Sequence, residues 1–356
     1  MFKPKYSVIG VMSGTSLDGV DLSYINFTLE NNKWAFEIIR SETVSYSIEW
    51  VNKLKSAVSY DDASLQKINQ EYTLLLGAII SDFIKKNDVK NLDAVCSHGH
   101  TVLHQPHNGI TLQIGNLPEL AALVNHTVVC DFRVQDVQLG GQGAPLVPIG
   151  DQMLFPQYDY CMNLGGFSNV SFEQNENRIA FDISPVNTVL NFYANQLNLD
   201  YDDKGAIAKT GTCNTELLNE LNALDFYNTS YPKSLGFEFV KGIILPMMNR
   251  YSIAVPNQLN TFTEHVAIQI ACALPKKSGS VFITGGGAYN DYLLKRIQFH
   301  LPEMEIIIPS ASILEFKEAL IFALLGVLKL RQEINVLSTV TGASKNHSSG
   351  VIYENN

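Results

Sequence analysis

Long apolar runs are missing from this chain. Its most hydrophobic stretches, residues 74–80 and 319–328, fall well short of the roughly 20 residues that a membrane-spanning helix needs, so no membrane partner is expected. The apolar segment at 8–12, behind Lys3 and Lys5, is too brief for the core of a secretion signal. Cysteine is scarce and unpatterned. Cys96, Cys130, Cys161, Cys213 and Cys272 lie far apart and form no CxxC pair. An odd number at such spacing argues for free thiols in a reducing cytoplasm. The first three sit in apolar, strand-like runs and read as small buried residues rather than nucleophiles. Positive charge is also in short supply, with 25 Lys and Arg against 35 Asp and Glu, a net charge of -10. Such a surface repels a phosphate backbone, so nucleic acid is not an expected partner. It still admits a nucleotide, which backbone amides and a metal ion hold locally.

What is present is a globular composition, 46% hydrophobic over 356 residues, enough for two domains of ordinary size. Apolar runs at 6–12, 20–27 and 34–44 read as strands. Leu65, Ile68, Tyr72, Leu75, Leu76, Ile79 and Phe83 recur at helical spacing behind Asp61 and Asp62, which predicts a long helix. A strand at 92–96, a helix at 117–124 entered through Asn116, and a strand at 127–130 follow. Residues 138–148 (QLGGQGAPLVP) are dense in Gly and Pro and read as an ordered loop or domain crossing. The second half restarts with strands at 158–164, 169–172 and 178–181. Helices are expected at 186–198, 214–224, 236–248 and 260–274, then a strand at 281–284, a helix at 291–299 and a strand at 305–308. Ser312 and Glu315 form a capping-box pattern ahead of a helix to about residue 330. The alternation predicts an α/β protein.

The chain also repeats itself. VIGVMSGTSLDGVDLSYINF (8–27) and YCMNLGGFSNVSF (160–172) each run from a strand through a small-residue turn to an alternating strand, and each opens one half. Two halves that begin with a hairpin able to approach phosphate are the layout of the actin/hexokinase architecture.

Five constellations carry chemistry. In MSGTSLDGVD (12–21), Gly14 and Gly19 let the backbone approach an anion, Thr15 and Ser16 add hydroxyl donors, and Asp18 and Asp21 suit Mg²⁺ held through water. A plain tight hairpin with polar turn residues explains the same letters. ITGGGAYN (283–290) places Gly285, Gly286 and Gly287 after a buried strand and before a helix, a seat for a nucleotide or simply a closely packed turn. Asp182, at a strand end before ISPVN, is placed either as a general base or as a helix cap. His98, His100, His104 and His107 have no carboxylate or cysteine close by in sequence, which favours hydrogen bonding to a sugar or to backbone over a metal site. Arg133, between Asp131 and Asp136, either grips a ligand carboxylate with its planar fork or forms a structural ion pair.

Taken in order, MSGTSLDGVD (12–21), SHG-TV-H-P (97–106), TLQIGN (111–116), D-R--DV--GGQGAPLVP (131–148), N-GG-SNV (163–170), YD--GAIA--G (201–211), PKS-G-E (232–238), TGGGAYN (284–290) and EA--FA-L (318–325) resemble the anhydro-N-acetylmuramic acid kinase family over nearly the whole chain. The resemblance implies two actin-like ATPase (ribonuclease H-like) α/β domains around a nucleotide and sugar cleft. They would be 1–150 with the first phosphate hairpin, and 151–330 with the second hairpin, the catalytic aspartate and the adenosine loop, leaving 331–356 to pack back on the first. It implies an ATP- and Mg²⁺-dependent enzyme that opens 1,6-anhydro-N-acetylmuramic acid with water and phosphorylates its O6 in peptidoglycan recycling. Asp182 matches the catalytic aspartate and Glu318 helps orient the water or sugar. The nucleotide falls to Gly14, Thr15, Ser16, Leu17, Asp18, Gly19, Val20 and Asp21, to Gly165 and Gly166, and to Gly285, Gly286 and Gly287. The sugar falls to His98, Arg133, Gln142 and Asn169, and the metal to Asp18 and Asp21. Departures are Asp182-Ile183-Ser184-Pro185-Val186-Asn187 where the family commonly has D-T-G-P-G-N, His100 for a glutamine, Asp151 for a histidine and Phe237 for an arginine. A kinase for another sugar or anhydrosugar and a non-catalytic ATP-binding actin-like protein remain as alternatives, and a homodimer is left open.

Overall fold

The computed structural model describes residues 2–355, which divide into two compact units. The first is the chain up to Phe155 together with everything from Phe316 onward, and the second is Pro156–Glu315. In the first unit the strands are β1 (Lys5–Ser13), β2 (Gly19–Glu30), β3 (Lys33–Ser45), β4 (Ala94–Gln105), β5 (Ile110–Ile114) and β6 (Val128–Cys130). The sheet order is β3-β2-β1-β4-β6, with the C-terminal strand Val351–Tyr353 added beside β6 and β5 paired to the far end of β4. β1, β2 and β3 form an antiparallel meander, while β4 runs parallel to both β1 and β6. The second unit holds β7 (Tyr160–Leu164), β8 (Phe167–Gln174), β9 (Asn177–Pro185), β10 (Ser278–Thr284) and β11 (Glu303–Ile307) in the order β9-β8-β7-β10-β11. Again three strands are antiparallel and two parallel. The same order and directions occur twice, so the duplication suggested by the two hairpins extends to whole sheets. This is the topology of actin-like ATPase domains.

Each sheet is built by ordinary burial. Helix Asp62–Lys86 places Leu65, Ile68, Tyr72, Leu76, Ile80 and Phe83 on one buried stripe, and Asp61 caps it by accepting from Ser64 N at 2.8 Å. Helix Ala311–Leu330 is apolar almost throughout, and its part beyond the non-helical Phe316 belongs to the first unit. The division therefore falls earlier than a boundary at residue 330. The physical reason is backbone contact: a Cβ on Gly10 of β1 would lie 2.0 Å from Ala319 O, and one on Gly326 would lie 2.2 Å from Cys96 Sγ of β4. Only glycine lets helix and sheet come this close.

Three local expectations change. The helix expected from Asn116 begins at Glu119, because the Asn116 amide is engaged with His98 O and Asp131. Ser312 and Glu315 do not form a capping box. The helix starts at Ala311, the N–H groups of Ile313 and Leu314 go to Ser310 O, and Glu315 accepts from the Tyr289 hydroxyl at 2.6 Å. The 138–148 segment is irregular only to Leu146, where helix Val147–Leu154 begins.

Candidate active site

In the first unit the β1–β2 turn is closed by Leu17 N donating to Gly14 O at 3.4 Å, with Leu17 itself at φ +64°. Thr15, Ser16 and Asp18 are exposed at its tip. A Cβ at Gly14 would meet only Ser16, so space beside it is open. Gly19 and Val20 have a different environment. A Cβ on Gly19 would lie 2.4 Å from Val44 O, and Val20 is buried in the core, so neighbouring structure accounts for both residues. Asp21 accepts from Thr43 Oγ1 at 2.6 Å. Among the described residues no group of three or more His, Cys, Asp or Glu is placed to hold a metal. Asp18 and Asp21 supply the donor type Mg²⁺ takes, one or two carboxylates with water and phosphate oxygens filling the shell.

Behind the turn runs a buried hydrogen-bond chain that sequence reasoning missed. Ser13 Oγ lies 2.9 Å from His100 Nδ1 and 2.6 Å from the Tyr46 hydroxyl, which lies 2.5 Å from the Tyr72 hydroxyl. Burial pushes His100 down to about 4, so it is neutral. Ser13 and Tyr46 are single letters at strand ends, with no local pattern to mark them.

Arg133 Nε donates to His98 Nε2 at 2.8 Å, and Arg133 Nη1 donates to Gly143 O at 2.7 Å. His98 Nδ1 faces Gly99 O at 2.9 Å, which puts its proton on Nδ1. Burial, reinforced by Arg133, holds this histidine well below its usual range. Burial also pulls Arg133 down to about 10 against the opposing fields of Glu318 and Asp136. The GGQGAP loop wraps around Asp136, which accepts from Gly143 N and Thr341 Oγ1, each at 2.7 Å. A Cβ on Gly141 would lie 2.2 Å from Asp136 Oδ2, and the Gln142 side chain is left exposed. Glu318 is open to solvent by area yet densely surrounded. Crowding pushes its carboxyl up, Arg133 pulls it back, and Asp21 adds to the push.

In the second unit Asp182 stands on β9 directly across from Asn169 of β8. Its Oδ2 accepts from Leu235 N at 2.8 Å, and its own N–H donates to Lys233 O at 3.1 Å. Burial raises its carboxyl above the usual range, and the Leu235 bond opposes that. A raised carboxylate with one engaged oxygen is suited to accept a proton. The β7–β8 turn is tied to the chain after β9, with Val186 N to Gly166 O at 2.8 Å and Asn187 N to Gly165 O at 3.2 Å. The GGG loop packs on the same turn, since Cβ atoms on Gly285 and Gly287 would strike Leu164. Gly286 alone faces open space and lines a cavity of about 670 Å³ with Asn187, Tyr201, Asp203, Lys204, Tyr289 and Asn290. Its volume is that of a ligand pocket. The sequence marked the glycines but not the polar lining, which comes from segments about 100 residues apart.

A duplicated α/β unit of this topology, with a glycine-bearing hairpin opening each copy, defines the actin-like ATPase fold. The chain belongs to the anhydro-N-acetylmuramic acid kinase family, whose model matches residues 6–355. Curated relatives named anhydro-N-acetylmuramic acid kinase include those of Mannheimia succiniciproducens (34% identical, 99% of this chain and 100% of the relative), Shewanella frigidimarina (32%, 97% and 97%) and Bacillus cereus (32%, 95% and 96%). Among solved structures, component A of (R)-2-hydroxyglutaryl-CoA dehydratase from Acidaminococcus fermentans aligns at 14% identity and a TM-score of 0.47, over 92% of this chain and 99% of that one.

Proposed function

We propose that this chain uses ATP to phosphorylate 1,6-anhydro-N-acetylmuramic acid on O6 while water opens the anhydro bond, giving N-acetylmuramic acid 6-phosphate during cytoplasmic recycling of peptidoglycan. The observation that carries the mechanism is Asp182, a carboxylate raised by burial, held by one backbone donor, and set beside an exposed amide at Asn169. Asp182 takes a proton from the water whose oxygen bonds to C1. The C1–O6 bond breaks, O6 keeps its electron pair and bonds to the γ-phosphorus, and ADP leaves. Asn169 orients the sugar beside the base. Arg133, whose Nη2 makes no hydrogen bond among the described residues, meets the sugar's carboxylate, while Gln142 and His98 shape that side of the substrate site. Glu318 orients the water or the sugar.

The 670 Å³ cavity accepts the adenosine end of the nucleotide, with Gly286 giving close approach and Asn187, Asn290 and Lys204 offering polar contacts. Gly14, Thr15, Ser16 and the Gly165–Gly166 turn face the phosphates. Asp18 and Asp21 would hold Mg²⁺, which when bound would neutralise charge on the phosphates.

The test follows the oxygen. In ¹⁸O-water, quenched early before anomeric exchange, ring opening puts one heavy oxygen on C1 and none in the bond from C6 to phosphate. A phosphorylated product with its anhydro ring intact, or without early label, would show a simpler kinase.

A further inference from the structure

Strand alternation turns Phe181 and Ile183 to the face of β9 opposite Asp182. There they wall a second cavity of about 170 Å³, with Thr229, Ser230, Lys233 and Gln269 among its lining. The Lys233 ammonium is half-buried. It donates to Phe226 O at 3.1 Å and lies 4.6 Å from the Phe226 ring centre and 5.9 Å from that of Phe181. No described carboxylate lies within ion-pair distance of it. Burial lowers its pKa, and no charged neighbour contributes to the shift. This half-buried ammonium therefore has one backbone carbonyl and two aromatic faces around it, and no described carboxylate.

The other donors around the cavity are mostly engaged. The Tyr227 hydroxyl meets His265 Nε2, the Tyr231 hydroxyl meets Gln174, and Thr229 Oγ1 donates to Asp225 O. Among the described residues, two of the three Lys233 protons and the Ser230 hydroxyl have no protein partner. They offer donors and one positive charge on the cavity's lining. A cavity of about 170 Å³ has room for several waters, and so for a compact oxyanion such as phosphate. The wall also supports Asp182, because Lys233 O accepts from Asp182 N and Leu235 N donates to the Asp182 carboxylate.

We propose that this cavity is a binding site for inorganic phosphate, held by Lys233 and Ser230, and that its occupancy changes turnover through the 233–235 segment. Binding stands independently of the role given to Asp182, whereas the effect on turnover rests on it. Calorimetric titration of phosphate into the whole protein, at constant ionic strength with and without a non-hydrolysable ATP analogue, tests the site. Saturable one-to-one binding is expected in both conditions, with sulfate able to replace phosphate and acetate unable to. Lys233→Met should weaken it by about tenfold or more, the scale of a charge-assisted bond. Ser230→Ala, at an exposed position that leaves the fold intact, should weaken it severalfold and settles the matter if Lys233→Met does not fold. Binding that the ATP analogue displaces, that neither variant weakens, or that acetate shares equally would overturn the site. Binding with no change in kcat would overturn the link to turnover. A turnover-competent Asp182→Asn that still binds phosphate would refute the catalytic reading and leave the site standing.

Discussion

Asp182→Asn separates chemistry from architecture. Asparagine has the same shape, and its Oδ1 can accept the 2.8 Å bond from Leu235 N that holds the Asp182 carboxylate. The backbone bond from Asp182 N to Lys233 O does not involve the side chain. What disappears is the basic oxygen. Loss of a general base lowers kcat by about 10²- to 10⁴-fold, about 2.7 to 5.4 kcal/mol in the barrier at 1.36 kcal/mol per factor of ten. The KM for ATP should stay within about threefold, since this carboxylate holds no part of the nucleotide in the proposed mechanism.

The same substitution makes a stability prediction of known sign. Burial raises the folded pKa of Asp182 above its ordinary value of 3.8. Between the unfolded and folded values the native state binds more protons, so this group's contribution to stability falls as pH rises through that window. The amide that replaces the carboxyl does not titrate. The variant should therefore equal or exceed the wild type in stability at pH 7, and the advantage should vanish below the unfolded pKa. The raised pKa should also move the acid limb of the wild-type kcat/KM profile upward. Steady-state coupled assays and urea unfolding at several pH values measure both effects. Turnover within tenfold of wild type, with the protein folded, would refute Asp182 as the base.

Three further outcomes are expected. Gly286→Val should raise the KM for ATP by about tenfold or more with little change in unfolding midpoint, because its Cβ meets only Asn187 Nδ2 at 3.7 Å and the added methyl groups enter the cavity. Gly14→Val should act similarly on ATP. Lys317→Met should cost about 3–5 kcal/mol in urea unfolding, since Lys317 and Asp151 form a buried ion pair at 2.7 Å, and Lys317→Met with Asp151→Leu should recover more than half of that loss. EDTA should abolish turnover and Mg²⁺ restore it, while elemental analysis should find no stoichiometric zinc, as His98 and His104 are engaged with Arg133 and Thr111.

How far the sequence could be read depended on whether the information was local. The β1 run, the stripe from Leu65 to Phe83 and the GGG turn after a buried strand are periodic or contiguous, and the structure contains each of them. The two hairpins predicted a duplication because each is complete within about twenty residues. Non-local partners were invisible. Asp182 is held by Leu235, 53 positions later, and Asp136 by Thr341, 205 positions later. Glycine was ambiguous for the same reason. The letters could not separate Gly14 and Gly286, which face open space, from Gly19 and Gly285, which make room for neighbouring backbone. Ser312 with Glu315 matched a capping box, but Tyr289 holds the glutamate instead.

Ser184 and Val186 stand where the resemblance to the family places glycines, and the structure gives both residues a physical account. β9 runs on to Pro185, with Ser168 opposite Ser184 and Phe167 opposite Pro185. The Ser168 hydroxyl lies 3.0 Å from Ser184 O and 3.1 Å from Ser184 N, which ties the two strands together in the buried sheet. Ser184 and Val186 are both 0% exposed, and Val186 belongs to the second unit's hydrophobic core. The side chains that replace glycine therefore point into protein, and the Gly165–Gly166 turn remains free of them. Val186→Gly should accordingly cost stability without improving nucleotide binding. Losing a buried valine side chain costs about 2 kcal/mol and the added backbone freedom about 1 more, so a loss of about 3 kcal/mol is expected in urea unfolding. The KM for ATP should change by less than about threefold. A tenfold fall, equivalent to about 1.4 kcal/mol of tighter binding, would mean that Val186 obstructs the phosphates and that its burial in the core is not the reason for its presence.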